Sequence, residues 1–87
     1  MNKKNQNTLA AIFKEPVRSD ILWKDIENLL YALGTEVSEG KGSRVRIALK
    51  GVRGVFQRPH PRKETGKGSV KSLRRFLIAA GVSDVEV

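Results

Sequence analysis

Apolar residues recur along this chain in two rhythms, with period two in the middle and helical spacing on either side. Arg44-Val45-Arg46-Ile47-Ala48-Leu49 alternates, Lys50-Gly51 interrupts, and Val52 to Gln57 returns. Alternation predicts strands with one buried face, and a two-residue break ending in glycine predicts a hairpin turn. Such a turn pairs Leu49 with Val52, Ile47 with Gly54 and Val45 with Phe56. All six fall on one face, and five of them are apolar. The opposite face carries Arg44, Arg46, Arg53 and Gln57, with Ala48 and Val55 between them. Turn and alternation demand the same register, so the hairpin has one dry face and one basic face.

Helical spacing flanks this hairpin. Leu9, Ile12 and Phe13 share one side of a short helix expected over Asn7 to Pro16, where proline stops it. This piece is either part of the core or a loosely docked appendage. Ile26, Leu29, Leu30 and Leu33 form the apolar stripe of a second helix from Trp23 to Leu33, with Gly34 as its stop. Trp23 is expected to pack on the core at the helix start, with stacking on a base as the alternative. Thr35 to Ser38 reads as a short strand before the loop Glu39-Gly40-Lys41-Gly42. Arg58 to Gly68 is expected to be a loop, because Pro59 and Pro61 disfavour helix at the residues before them. A last helix is expected from an N-cap at Ser69 to just before Gly81. Val70, Leu73, Phe76, Leu77 and Ala80 cover one arc of it, and Lys71, Arg74 and Arg75 the other. The expected class is α+β, with a three-stranded antiparallel sheet covered by helices on one face. Residues 1–20 read as an extension carrying the short helix, and 21–87 as the domain.

Charge sharpens this picture. Between Lys41 and Arg75 there are twelve Lys and Arg and one acid, Glu64. Residues 1–40 hold five bases and six acids, and the whole chain carries a formal +8. A positive block confined to 35 of 87 residues points to a polyanion, above all to phosphate backbone. An acidic protein is the competing partner. The chain lacks cysteine and has one histidine, so disulfides, thiolate metal sites and His-rich clusters are excluded, and no metal or cofactor is expected. No stretch approaches the ~20 apolar residues of a membrane span. The opening Met1-Asn2-Lys3-Lys4 leads into polar residues rather than an apolar secretory segment, so the cytoplasm is the expected location.

The order α-β-β-β-α with a basic last helix resembles a double-stranded-RNA-binding domain. Particular residues narrow the resemblance. Gly42-Ser43 opening a strand, Pro59-His60-Pro61 after the third strand, and Lys67-Gly68-Ser69 followed by Val70, Leu73 and Arg74 are similar to the HicA toxin family. The helix of Trp23, Asp25, Ile26, Leu29 and Leu30 ahead of Gly34 fits as well, so the resemblance spans about residues 22–82. It implies a toxin of a bacterial toxin–antitoxin pair that cleaves mRNA without the ribosome and is neutralised by a HicB antitoxin. The family pattern places a catalytic histidine one or two residues after the Gly-Ser pair, where this chain has Arg44 and Val45.

Metal-free RNA cleavage needs a base for the 2′-hydroxyl proton, an acid for the leaving 5′-oxygen, and cations around the pentavalent phosphate. His60 is the one side chain of the type suited to proton transfer near neutral pH, and so the candidate catalytic residue. The bland reading makes it a turn residue or a phosphate donor. Arg44, Arg46, Arg53 and Arg58 are candidate RNA contacts beside the sheet face, and Ser43 a candidate phosphate donor or turn residue. Lys67 at a helix start, with Lys71, Arg74 and Arg75 along that helix, extends the phosphate contacts. Glu36 and Glu39 read as solvated edge residues rather than bases. Aromatic side chains are few, so recognition of RNA shape and backbone is expected rather than base readout. A non-catalytic RNA-binding module on the same fold is the alternative that Arg44-Val45 keeps open.

Overall fold

A computed structural model describes residues 1–83, and the last four positions of the expected domain lie outside the described residues. The element order is α1 (Lys3–Phe13), β1 (Ile21–Leu22), α2 (Trp23–Ala32), β2 (Glu36–Glu39), β3 (Arg44–Leu49), β4 (Val52–Gln57), β5 (Glu64–Thr65) and α3 (Lys67–Ala79). Strands β2, β3 and β4 form an antiparallel sheet in that spatial order. The helices cover its apolar face, giving the expected α+β plan.

The hairpin has the register read from the sequence: Leu49 pairs with Val52, Ile47 with Gly54 and Val45 with Phe56. Lys50 and Gly51 both take positive φ, +49° and +81°. That is a primed two-residue turn, whose twist matches the twist of the strands it joins. Glycine takes such a conformation without strain, whereas Lys50 is held in it by the pairing on either side. Val45, Ile47, Leu49 and Phe56 are buried, and Arg44, Arg46, Arg53 and Gln57 point to solvent.

Gly54 explains the one gap in the apolar face. The Phe56 and Phe76 rings meet edge to face at 6.4 Å between centroids, and the Trp23 ring lies 6.3 Å from that of Phe56. A Cβ on Gly54 would stand 3.1 Å from the Phe56 ring and 3.3 Å from the Phe76 ring. The missing side chain is what lets α3 bring Phe76 down onto β4.

Several boundaries differ from expectation. Helix α1 starts at Lys3 rather than Asn7, because the Asn2 side chain accepts the Asn5 N–H at 2.8 Å and caps it. Leu9 and Ile12 are fully buried against α2 and α3, so α1 belongs to the core. Strand β2 lies one residue further on than expected, at Glu36–Glu39. Helix α3 starts at Lys67 with Gly66 as its cap, which places Ser69 inside the first turn. The expected loop after β4 contains β5, which pairs antiparallel with β1 through Ile21–Thr65 and Leu22–Glu64. Two-residue strands have no periodicity to read, and only the pairing defines them.

Replacing Gly54 by Ala is expected to lower the unfolding free energy by about 1 kcal/mol, the low end of what overpacking a tight core costs. Urea denaturation of the two proteins measures the difference. An unchanged midpoint would mean that the Phe56–Phe76 contact relaxes freely.

Candidate nucleic-acid interface

The loop Arg58–Lys63 is held at both ends. At its start the Arg58 guanidinium grips two carboxylates: Nε and Nη2 donate to Glu27 at 3.1 and 3.2 Å, and Nη1 and Nη2 donate to Glu39 at 2.6 and 2.7 Å. The Arg58 N–H also donates to the Ser43 carbonyl at 2.9 Å, extending the hairpin ladder by one bond. At the loop's end the Trp23 N–H donates to the Lys63 carbonyl at 3.0 Å, beside the β1–β5 pair. Pro59 and Pro61 restrict φ between these anchors. His60 is therefore presented to solvent at a defined place on an otherwise irregular segment.

The sequence treated twelve bases as one positive block, and the structure divides them. Arg58 forms a bidentate pair with each of two acids, so the cluster it belongs to has a net charge of −1. Hydrogen bonds that Arg58 donates to Glu39, and then to Glu27, hold the guanidinium above its ordinary pKa, and the same contact pulls the Glu39 carboxyl below its own. Arg74 is also committed. Its Nε and Nη2 donate to the Ile12 carbonyl at 3.1 and 2.9 Å, Nη2 also to the Lys14 carbonyl at 3.0 Å, and Nη1 to Glu15 at 2.5 Å. It satisfies carbonyls at the C-terminal end of α1 and sits over the Phe13 ring at 5.9 Å. Arg62 pairs with Glu64 at 3.6 Å. Arg58 and Arg74, expected as RNA contacts, thus serve as structural clamps in the free protein, because acids and carbonyls distant in sequence converge on them.

Arg44, Arg46, Arg53, Lys67, Lys71 and Arg75 remain exposed with no carboxylate partner among the described residues. A cleft of about 330 Å³ brings together Ser43, Gln57, His60, Gly66 and Ser69, which come from the start of β3, the end of β4, the loop and the first turn of α3. Thr65 lines it too, with a buried hydroxyl that has no hydrogen-bond partner among the described residues. Gln57 and Ser69 also line a groove of about 520 Å³ between β4 and α3, which runs past Gly68 and Ser72 to Arg75. Val55 of that groove borders a third depression, on the sheet face, that holds Arg46 and Arg53. The cleft and the groove thus share Gln57 and Ser69, and the groove and the sheet-face depression share Val55. Lys67 and Lys71 line neither the cleft nor the groove and lie on the outer surface of α3.

Positions 44 and 45 differ sharply. Val45 is fully buried on the dry face, whereas Arg44 is exposed on the outer face beside Ser43. Only position 44 opens to solvent, and a guanidinium occupies it. Arginine is a permanent cation that can hold a phosphate oxygen but cannot exchange protons near neutral pH. Sequence reasoning missed the Arg58 and Arg74 clamps. The signal available was weak: two acids, Glu27 and Glu39, in a chain short of acids after residue 40.

A family described as HicA toxin of bacterial toxin–antitoxin matches residues 23–82. No curated protein and no solved structure matches the chain.

The Glu39–Arg58 pair sets a pH dependence. A carboxyl whose folded pKa is depressed contributes stability above its unfolded value of about 4.3, and loses it as the pH falls through the lower folded value. Glu39→Gln is expected to be less stable than wild type at neutral pH, with the gap narrowing as the pH falls below the unfolded carboxyl value of about 4.3. Urea denaturation at neutral pH and in that acid range measures this, and a gap of the same size at both would show that Glu39 acts through packing alone.

Proposed function

This chain belongs to the HicA toxin family and is a toxin of a bacterial toxin–antitoxin system; on that premise we propose that it is a type II, ribosome-independent mRNA endoribonuclease, neutralised by a HicB-type antitoxin. The observation that supports the activity is the cleft that gathers His60, Ser43 and the first turn of α3. A scissile phosphate placed there meets N–H groups at the start of α3, where an anion is favoured. The Ser43 and Ser69 hydroxyls line the same cleft, and Arg44 and Lys67 adjoin it along the chain.

Cleavage of this kind forms a bond from the 2′-oxygen to phosphorus and breaks the bond from phosphorus to the 5′-oxygen. One proton leaves the 2′-hydroxyl and one is delivered to the departing oxygen. His60 is the group in the cleft suited to carry one of them, with water carrying the other. Arg44, where the family pattern has histidine, supplies charge to the pentavalent phosphate instead of a proton path. Along the groove, Arg75 and the sheet-face Arg46 and Arg53 hold the flanking backbone. The antitoxin, as an acidic partner, covers the same cations that RNA requires. Arg44 is also the observation that favours a second reading, an RNA-binding module without cleavage.

Purified protein with end-labelled mRNA in the presence of chelator separates the two. Wild type is expected to generate new RNA ends, and His60→Ala to lower the rate by about 100-fold or more, the usual weight of a general acid or base. RNA binding by the variant is expected to persist. Undiminished cleavage by His60→Ala overturns the role of His60, and tight binding without cleavage by wild type selects the binding module.

A further inference from the structure

His60 is a wall between two cavities. Beyond the cleft already described, Pro59 and His60 also line a pocket of about 510 Å³ on the side of β1 and the start of α2. We propose, resting on the reading of the protein as an RNA-binding toxin, that this pocket seats one unstacked nucleobase of single-stranded RNA next to the phosphate held in the cleft.

Its chemistry is that of a base site. Leu22, Trp23, Pro59 and Pro61 give it flat or apolar walls, and its volume lies within the range of small-ligand clefts, ~300–1,000 Å³. Leu22 is 40% exposed there, although its neighbours Ile21 and Trp23 are only 5% exposed. A leucine exposed alone needs no explanation, but one set against two prolines forms a surface that a planar ring covers. Lys24 and Lys63 line the same pocket without a carboxylate partner among the described residues, and they match the phosphates on either side of a base.

Geometry restricts the occupant. A base stacked and paired in a duplex presents only its edges, so a pocket walled on several sides admits a base only after it leaves the stack. The scarcity of aromatic residues, which argued for backbone recognition alone, therefore leaves room for readout at one nucleotide. That nucleotide adjoins the scissile phosphate, because His60 borders both sites.

Trp23 is the only tryptophan, so its fluorescence reports on the pocket directly. Three versions of one short oligonucleotide serve as probes: intact single strand, the same strand with abasic nucleotides, and the annealed duplex. The intact strand is expected to change Trp23 emission and to bind about tenfold tighter than the abasic one, within the range of a single base contact. The duplex is expected to leave the emission unchanged. Leu22→Asp, at an exposed side chain, is expected to bind intact and abasic strands equally, with circular dichroism confirming the fold. If wild type binds intact and abasic strands equally and with the same salt dependence, the base site is overturned while the RNA reading stands. If neither strand binds, both are overturned.

Discussion

A single guanidinium ties the functional end of this molecule together. Arg58 is claimed at once by Glu27 from α2 and Glu39 from the end of β2, while its own N–H bonds the Ser43 carbonyl at the start of β3. Helix, sheet edge and loop are thereby joined at one charged point. Arginine suits this role because its planar fork makes paired hydrogen bonds to two carboxylates at once, which an ammonium cannot do. With Arg58 so held, the residues that follow it leave β4 in one direction, and His60 stands between two cavities rather than on a free loop.

Arg74, within α3, does equivalent work for α1. By taking the Ile12 and Lys14 carbonyls it closes the end of α1, whose Leu9 and Ile12 complete the core. The family match begins at residue 23, yet the fold of this chain includes the helix before it. The two clamps also shape the electrostatics. They commit Arg58 of the loop and Arg74 of α3, and leave unpaired cations on the sheet face, on α3 and beside the loop at Lys24 and Lys63.

Most of the fold was legible because most of it is local. The hairpin register followed from alternation and a two-residue turn, and the ends of α2 and α3 from Gly34 and Gly81. Legibility failed where a feature has no local cause. Strands β1 and β5 are two residues each and exist only through their mutual pairing. The start of α1 turned on an Asn2 cap ahead of residues with no apolar rhythm. At the site, Ser43, His60 and the first turn of α3 were each singled out in the sequence, but nothing in it showed that they line one cleft or that His60 faces a second one.

The sequence by itself determined the two-faced hairpin, the basic segment and the one histidine within it, since period, turn chemistry and composition act over a few neighbouring residues. Only the tertiary structure decided which cations are free. Arg58 meets Glu27 across 31 residues and Arg74 meets Ile12 across 62. Pairings at such separations depend on where the chain returns in space, and no local pattern encodes that. The same holds for the cavities on either side of His60, whose walls come from strands, loop and helices that the core alone brings together.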